Sequence, residues 1–137
     1  MGHSLVRGSR LTTVVIAVGV LSACSSPGVK LPDRADHTIQ REEARLAAVI
    51  GAQTPTILGA LGTCSVRLLR QDATASFVWA ECGTGPPINS GVSAPMRVIG
   101  SDVTVPRDGT QYTKDIHTLF PDDLAEIIEE QDDTIRP

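Results

Sequence analysis

Histidine is the side chain best suited to acid–base chemistry near neutral pH, and two histidines have a carboxylate close by in the sequence. His37 follows Asp36 directly, and His117 lies two residues after Asp115. Either imidazole could therefore serve as a base oriented by a carboxylate. The chain contains none of the catalytic sequences Gly-x-Ser-x-Gly, Ser-x-x-Lys and His-Glu-x-x-His. We expect surface or capping roles for both histidines, with a small secreted hydrolase or cell-wall-modifying enzyme using His117 or His37 as the alternative.

Cysteine is the second residue type that could do chemistry, and the first of the three cysteines ends a recognisable segment. Arg7 and Arg10 are followed by an apolar run from Leu11 to Val20 and then by Leu21-Ser22-Ala23-Cys24. A basic start, a short apolar core and small residues before the cut are the three parts of a secretory signal peptide. The apolar run is shorter than the roughly 20 residues that span a membrane. We therefore predict that residues 1–23 are a signal peptide.

The sequence Leu21-Ser22-Ala23-Cys24 resembles the lipobox of bacterial lipoproteins, and the chain is similar to small lipoproteins of high-GC Gram-positive bacteria. The resemblance implies that cleavage makes Cys24 the new N-terminus and that its sulfur carries a diacylglycerol. Two or three acyl chains would then hold the protein at the extracytoplasmic face of the cell membrane, because two hydrophobic signals suffice for stable anchoring. Cys24 is the expected lipidation site, and the membrane is the first expected partner.

Cys64 and Cys82 are the pair that remains once Cys24 is assigned to the lipid. In an oxidising compartment we expect them to form a disulfide, worth about 3 kcal/mol in the chain-entropy description. Zinc binding is the alternative, but two cysteines at this spacing, with no nearby histidine or third cysteine, do not match zinc ligands. We expect neither a metal nor a cofactor.

The two cysteines also predict a strand register. Residues 64–70 and 75–82 each have the character of a strand, and residues 71–74 are a polar break. If Cys64 lies opposite Cys82, the same face pairs Val66 with Ala80 and Leu68 with Val78. The other face then pairs Ser65 with Glu81, Arg67 with Trp79 and Leu69 with Phe77. A shift of one residue would place the cysteines on opposite faces, so the disulfide and the hydrophobic pattern predict the same register.

The remaining sequence predicts a small single α+β domain over residues 36–137, preceded by a lipidated tether over residues 24–35 that is rich in Pro, Gly and Ser. We expect an N-terminal helix capped by Asp36 or Thr38 and ended by Gly51, with Ile39, Leu46, Val49 and Ile50 on one stripe. Residues 56–62 are apolar but rich in glycine, and the pattern there favours neither helix nor strand.

A second hairpin is predicted around Gly100-Ser101, a pair suited to a type II′ turn. Pro95 before it indicates an edge or a bulge. Two short C-terminal helices follow, divided by Pro121, which ends one and fits the first turn of the next. The expected architecture is an N-terminal helix, an antiparallel sheet of two hairpins packed on one side, and two short C-terminal helices.

Trp79 is the residue most worth testing as a recognition element, since the predicted register puts it beside Phe77 and across from Arg67. Aromatic residues with arginine recur in binding hot spots. The alternative is that Trp79 belongs to the core, with Arg67 stacked on its ring. Low aromatic content favours the core, because a small domain needs its largest side chain for packing.

Charge excludes one class of partner. The chain carries a net charge of −4, and acidic residues dominate the last twenty or so positions. Nucleic-acid binding requires a basic stripe, which this sequence lacks. The acidic residues do not have the spacing of a calcium loop, and a solvated helix face explains them better. The lipobox-like sequence, the expected disulfide and the lack of catalytic motifs together lead us to expect a non-catalytic envelope lipoprotein that binds a protein, peptide or lipid.

Overall fold

The computed structural model describes residues 28–131 and 133–137. The elements are helix α1 (His37–Leu58), strands β1 (Thr63–Gln71), β2 (Ser76–Gly83), β3 (Gly91–Ile99) and β4 (Asp102–Thr104), and helices α2 (Tyr112–Leu119) and α3 (Asp122–Glu130). Short 3₁₀ turns lie at Gly109–Gln111 and Asp133–Ile135. This order confirms the predicted α+β domain. The described part of the chain contains no helix long and apolar enough to cross a membrane.

Helix α1 begins where the sequence predicts and ends later. Asp36 caps it, its carboxylate accepting a 2.7 Å hydrogen bond from the amide of Thr38. Gly51 does not end the helix, so that prediction was wrong. The helix continues past Pro55, which lacks an amide hydrogen for the Gly51 carbonyl. The Thr54 hydroxyl donates a 2.6 Å hydrogen bond to that carbonyl instead, which explains how the last turn is kept.

Residues 56–62, which the sequence left unassigned, divide between the end of α1 and a tight connection. Gly59 caps α1 with a left-handed φ of 81°. The amide of Gly62 donates to the Thr54 hydroxyl at 2.7 Å. A Cβ at Gly62 would lie 2.5 Å from the Gly83 carbonyl oxygen, so only glycine allows the chain to enter β1 this close to β2.

The four strands form one antiparallel sheet in the order β1-β2-β3-β4. The predicted register of the first hairpin is confirmed from Cys64 opposite Cys82 to Leu68 opposite Val78. The pairing of Leu69 with Phe77 was wrong, because a bulge at Leu69 places Arg70 opposite Phe77. A bulge adds one residue to one strand and shifts the pairing beyond it, and the hydrophobic pattern does not reveal it.

The second hairpin also has the predicted turn, with Ile99 opposite Asp102. Gly100 has a φ of 60°, and Ser101 has no positive φ, as a type II′ turn requires. Strand β3 starts earlier than expected, at Gly91. Pro95 pairs with Trp79 of β2 and lies beyond the short β4, on the open edge of β3, as predicted for a proline in a sheet.

Helices cover both faces of the sheet, so the expectation of one-sided packing was wrong. On the first face α1 packs through Leu46 and Ile50 against alternate side chains of β1, β2 and β3. On the second face the C-terminal helices contribute Ile116, Leu124 and Ile128 to a separate cluster. Alternate strand residues point to opposite faces, and here each set meets its own helical layer.

Candidate functional site

The cysteines lie in two different settings. Cys64 and Cys82 form the predicted disulfide, with their Cα atoms 4.1 Å apart. The bridge belongs to the face covered by α1, and Cys82 is buried there. Cys24 lies outside the described residues. The bridge joins β1 to β2 where the strands meet the adjoining loops, and it occupies both of the thiols that the described region holds.

Trp79 and Phe77 are buried on the second face, at 4% and 5% exposure. The indole Nε1 of Trp79 donates to the Ser93 hydroxyl at 2.9 Å. The Phe77 ring lies 5.8 Å from that of Phe120 at the end of α2. These two aromatic residues therefore belong to the core and do not form an exposed recognition surface.

Arg67, the third predicted binding residue, is also buried, at 6% exposure. It does not stack on Trp79; the guanidinium over that ring is that of Arg136, 4.9 Å from the centroid. Arg67 instead pairs with Glu43 of α1, Nη1 to Oε1 at 3.3 Å, and donates from Nη2 to the Pro32 carbonyl at 2.8 Å. It joins three parts of the chain at the edge of the sheet.

Glu43 has a second role that sequence reasoning missed. Its Oε1 also accepts a 2.8 Å hydrogen bond from the backbone amide of Leu68. Strand β1 is at the edge of the sheet, where outward amides lack a neighbouring strand. The Glu43 carboxylate therefore supplies the acceptor that the next strand would have provided. The sequence offered only a weak signal for this ion pair. It was a Glu on an otherwise apolar helix stripe, 24 residues before an Arg in a strand, and many other Glu–Arg pairs would match that description equally well.

Both histidines are on the surface and apart from each other. The His37 Nδ1 lies 3.2 Å from Gln40, while its neighbour Asp36 caps the helix. The His117 Nε2 lies 3.2 Å from Glu129 on α3. In the described region neither ring is hydrogen-bonded to a hydroxyl or thiol that it could activate. Neither predicted histidine–carboxylate pair forms.

Asp115, the predicted partner of His117, is bound to Arg107 instead. The Arg107 side chain makes two hydrogen bonds to its carboxylate, at 2.8 and 2.7 Å, and the Arg107 amide adds a third. The side-chain bonds from Arg107 hold the pKa of Asp115 far below its ordinary value. Asp115 is thus engaged by Arg107 and does not orient the His117 ring.

The acidic residues near the C-terminus do not form a metal site in the described residues, where no group of three candidate ligands is close enough. Asp123 is bound by Arg70 of β1 through two hydrogen bonds, which lower the pKa of Asp123. Glu129 contacts His117. Most of the remaining acidic side chains of α3 are exposed, in agreement with a solvated helix face.

A small polar depression lies where the turns of the two hairpins approach α1. Its volume is about 150 Å³, and Arg45, Gln71 and Ser76 are among its lining residues. Gln71 Nε2 donates to Glu42 Oε1 at 2.9 Å, and Arg45 makes two hydrogen bonds to the same carboxylate. The depression offers hydrogen-bonding groups but no histidine. Its walls come from distant parts of the chain, so no motif could have predicted it.

Comparison with family models, curated proteins and solved structures finds no match for this chain.

Proposed function

We propose that the protein is a lipoprotein anchored through Cys24 at the extracytoplasmic face of the cell membrane, where it serves as a non-catalytic binding module of the cell envelope. The observation that carries this proposal is which cysteines are paired and which one is left. Of three in the chain, two are joined in the Cys64–Cys82 disulfide. The remaining one, Cys24, ends the sequence that resembles a lipobox. A disulfide is typical of exported proteins, in agreement with this location.

The anchor is tested by expressing the full chain in a bacterium with lipoprotein-processing enzymes, beside Cys24→Ser and the matched control Ser25→Ala. We expect the native chain and Ser25→Ala to enter the detergent phase with an acylated N-terminal Cys24, as measured by mass spectrometry. Cys24→Ser should stay in the aqueous phase. A native chain processed without an acyl group on Cys24 would overturn the anchor.

The binding role is supported by the positions of the polar groups. Trp79, Phe77 and Arg67 are buried inside the domain, so they do not supply the contact surface. The polar depression beside Arg45 is concave and open to solvent, and its exposed hydrogen-bonding groups suit a small polar ligand or a polar segment of a partner.

In-cell crosslinking of the anchored protein tests this role. We expect a discrete partner whose capture weakens with Arg45→Ala and is unchanged with the matched control Arg41→Ala, an exposed α1 residue outside the depression. Equal capture by both variants would exclude the depression as the contact.

The enzymatic alternative would use His117 or His37. The contacts of these side chains with Glu129 and Gln40, both at the surface, give it no support. Replacing both histidines with alanine should leave the phenotype of the anchored protein unchanged. A loss of function in a folded double variant would favour the alternative.

A further inference from the structure

The chain ahead of α1 is packed onto the domain. Val29 and Leu31 are half-buried against the cluster on the second face of the sheet. We call residues 29–32 the N-terminal strap. The strap lies inside the region predicted to be a free tether, so the packed part of the chain begins before residue 36.

Arg67 secures the end of the strap. Its buried guanidinium donates to the Pro32 carbonyl at 2.8 Å while it is paired with Glu43. After the strap, the amide of Asp36 donates to the Asp33 carbonyl at 3.1 Å, and Gln40 donates to the carbonyl of Arg34 at 2.8 Å. The chain is therefore held to β1 and α1 on one side of Pro32 and to the second face on the other.

This packing limits the free length of the anchor. From Cys24 to Val29, the first residue of the strap, there are five Cα–Cα steps, which reach at most about 18 Å when fully extended. A domain of about 100 residues has a radius of gyration of about 13 Å, hence a diameter of about 34 Å. A lipid on Cys24 would thus be connected to the strap by a segment that, even fully extended, is only about half as long as the domain is wide.

We propose that the strap holds the domain directly against the bilayer, with the strap and the part of the second face that Val29 contacts turned toward the lipid. This inference rests on the proposed lipid anchor, and its partner is the membrane surface. The orientation follows from the short length of chain between Cys24 and the strap. Charge does not cause it, because the charges beside the strap are balanced, with Lys30 and Arg34 against Asp33 and Asp36. A tether this short limits how far the domain can rotate away from this orientation.

The distance between the domain and the bilayer can be followed through Trp79, because it is the only tryptophan in the chain and lies in the cluster that the strap contacts. The purified lipoprotein is reconstituted into phosphatidylcholine vesicles that contain dansyl-labelled headgroups, and energy transfer from Trp79 to dansyl is recorded. We compare the native chain with a chain carrying about twelve Gly and Ser residues inserted after Pro27. The insertion adds about 20 Å of reach and should lower transfer about twofold or more.

The strap itself is tested with Val29→Ser combined with Leu31→Ser, and Lys30→Ser is the matched control because Lys30 is exposed. The double variant should lower transfer, and the control should match the native chain. Equal transfer in the native and insertion chains would overturn the proposal. If the double variant unfolds by circular dichroism, the insertion chain, whose strap is intact, still decides the outcome.

Failure of the anchor is distinguished from failure of the inference by a second attachment. If mass spectrometry finds no acyl group on Cys24, the proposed function fails, and the chain is coupled to a maleimide lipid through that thiol, since Cys64 and Cys82 are joined. The same native, insertion and strap comparisons then apply. High transfer that falls with both the insertion and the double strap variant supports the packed strap even without natural acylation; equal transfer in all chains overturns it.

Discussion

On one face of the sheet a single helix, α1, covers the strands, whereas on the other face the cover combines α2, α3, the turn at Asp133–Ile135 and the N-terminal strap. The α1 face is aliphatic and carries the Cys64–Cys82 bridge. The second face holds the Trp79 and Phe77 rings and a fully buried Ile135. Helix α1 directly precedes β1, one of the strands that it covers. The segments that cover the second face come from both ends of the described chain. Four predictions test whether this difference matters for stability.

The largest effect is expected on the second face. Trp79→Ala should lower the free energy of unfolding by about 4 kcal/mol, because it removes the largest buried side chain and leaves a cavity. Denaturant unfolding followed by far-UV circular dichroism measures the loss. Leu46→Ala, at a fully buried position on the α1 face, should cost about 3 kcal/mol. A loss below about 1 kcal/mol for Trp79→Ala would mean that the second face contributes little. Trp79→Phe is the control and should retain most of the stability.

The next effect arises at the edge where the two faces meet. Arg67→Ala should cost about 3 kcal/mol, because it leaves the buried Glu43 carboxylate with only the longer, largely exposed contact to Arg34 at 3.8 Å. Arg67→Met combined with Glu43→Gln should recover most of this loss, since the glutamine side chain would keep an acceptor for the Leu68 amide without the charge.

Arg45 supplies the matched control for Arg67. It is an exposed arginine paired with Glu42 on the same helix, and Arg45→Ala should cost about 0.5 kcal/mol or less. Thermal or denaturant unfolding measures all three variants. Equal losses in the free energy of unfolding for Arg67→Ala and Arg45→Ala would show that the buried ion pair contributes no more stability than the exposed one.

The third effect belongs to the α1 face. Replacing Cys64 and Cys82 together with alanine should cost roughly 2–3 kcal/mol, because the bridge restricts the unfolded chain. We expect the hairpin register to persist, since Val66 and Leu68 still face Ala80 and Val78. Amide hydrogen exchange across the hairpin checks the register, and reduction of the native chain should give the same loss of stability. A changed exchange pattern would show that the bridge selects the register.

The smallest effect is a pH dependence that involves the ion pairs of the C-terminal helices. Hydrogen bonds from Arg107 and Arg70 lower the pKa values of Asp115 and Asp123 in the folded protein. A carboxyl group whose pKa is lower in the folded than in the unfolded chain stabilises the fold. This stabilisation is fully present above the pKa of the unfolded chain, which is about 4, and it is lost as the pH falls through the pKa of the folded protein. We expect Trp79 emission to change in acid before the helical circular dichroism does, because Arg70–Asp123 links β1 to α3.

Asp115→Asn should weaken this acid dependence, whereas Asp102→Asn, at an exposed position in β4, should leave it unchanged. Coincident acid transitions by fluorescence and circular dichroism would indicate that the two faces respond as one unit.

Much of the fold could be predicted because its signals are local. The Asp36 cap, the type II′ turn at Gly100 and the division of the C-terminal helices by Pro121 each depend on a few neighbouring residues. The end of α1 could not be predicted, because Thr54 compensates for Pro55 through a side-chain hydrogen bond. The bulge at Leu69 escaped prediction because both registers keep Phe77 on an apolar face.

The candidate sites were harder to predict than the fold. The sequence placed Trp79, Phe77 and Arg67 together correctly as neighbours on one strand pair, but whether they faced solvent or a helical layer depended on elements far along the chain. The polar depression has no sequence signature, since Arg45, Gln71 and Gly100 lie on three different elements or turns. Its shape follows only from how α1 lies across the hairpins.

The sequence by itself determined the disulfide and the hairpin register from Cys64–Cys82 to Leu68–Val78, because a shift of one residue puts the cysteines on opposite faces and a shift of two moves them too far apart to bond. It also determined the capped start of α1. Only the tertiary structure decided what covers the second face, which cation stacks on Trp79, and that residues 29–32 are packed. Those contacts join segments far apart along the chain, such as Arg136 with Trp79 and Pro32 with Arg67. Local propensity carries no information about such pairs, because it reflects only neighbours along the chain.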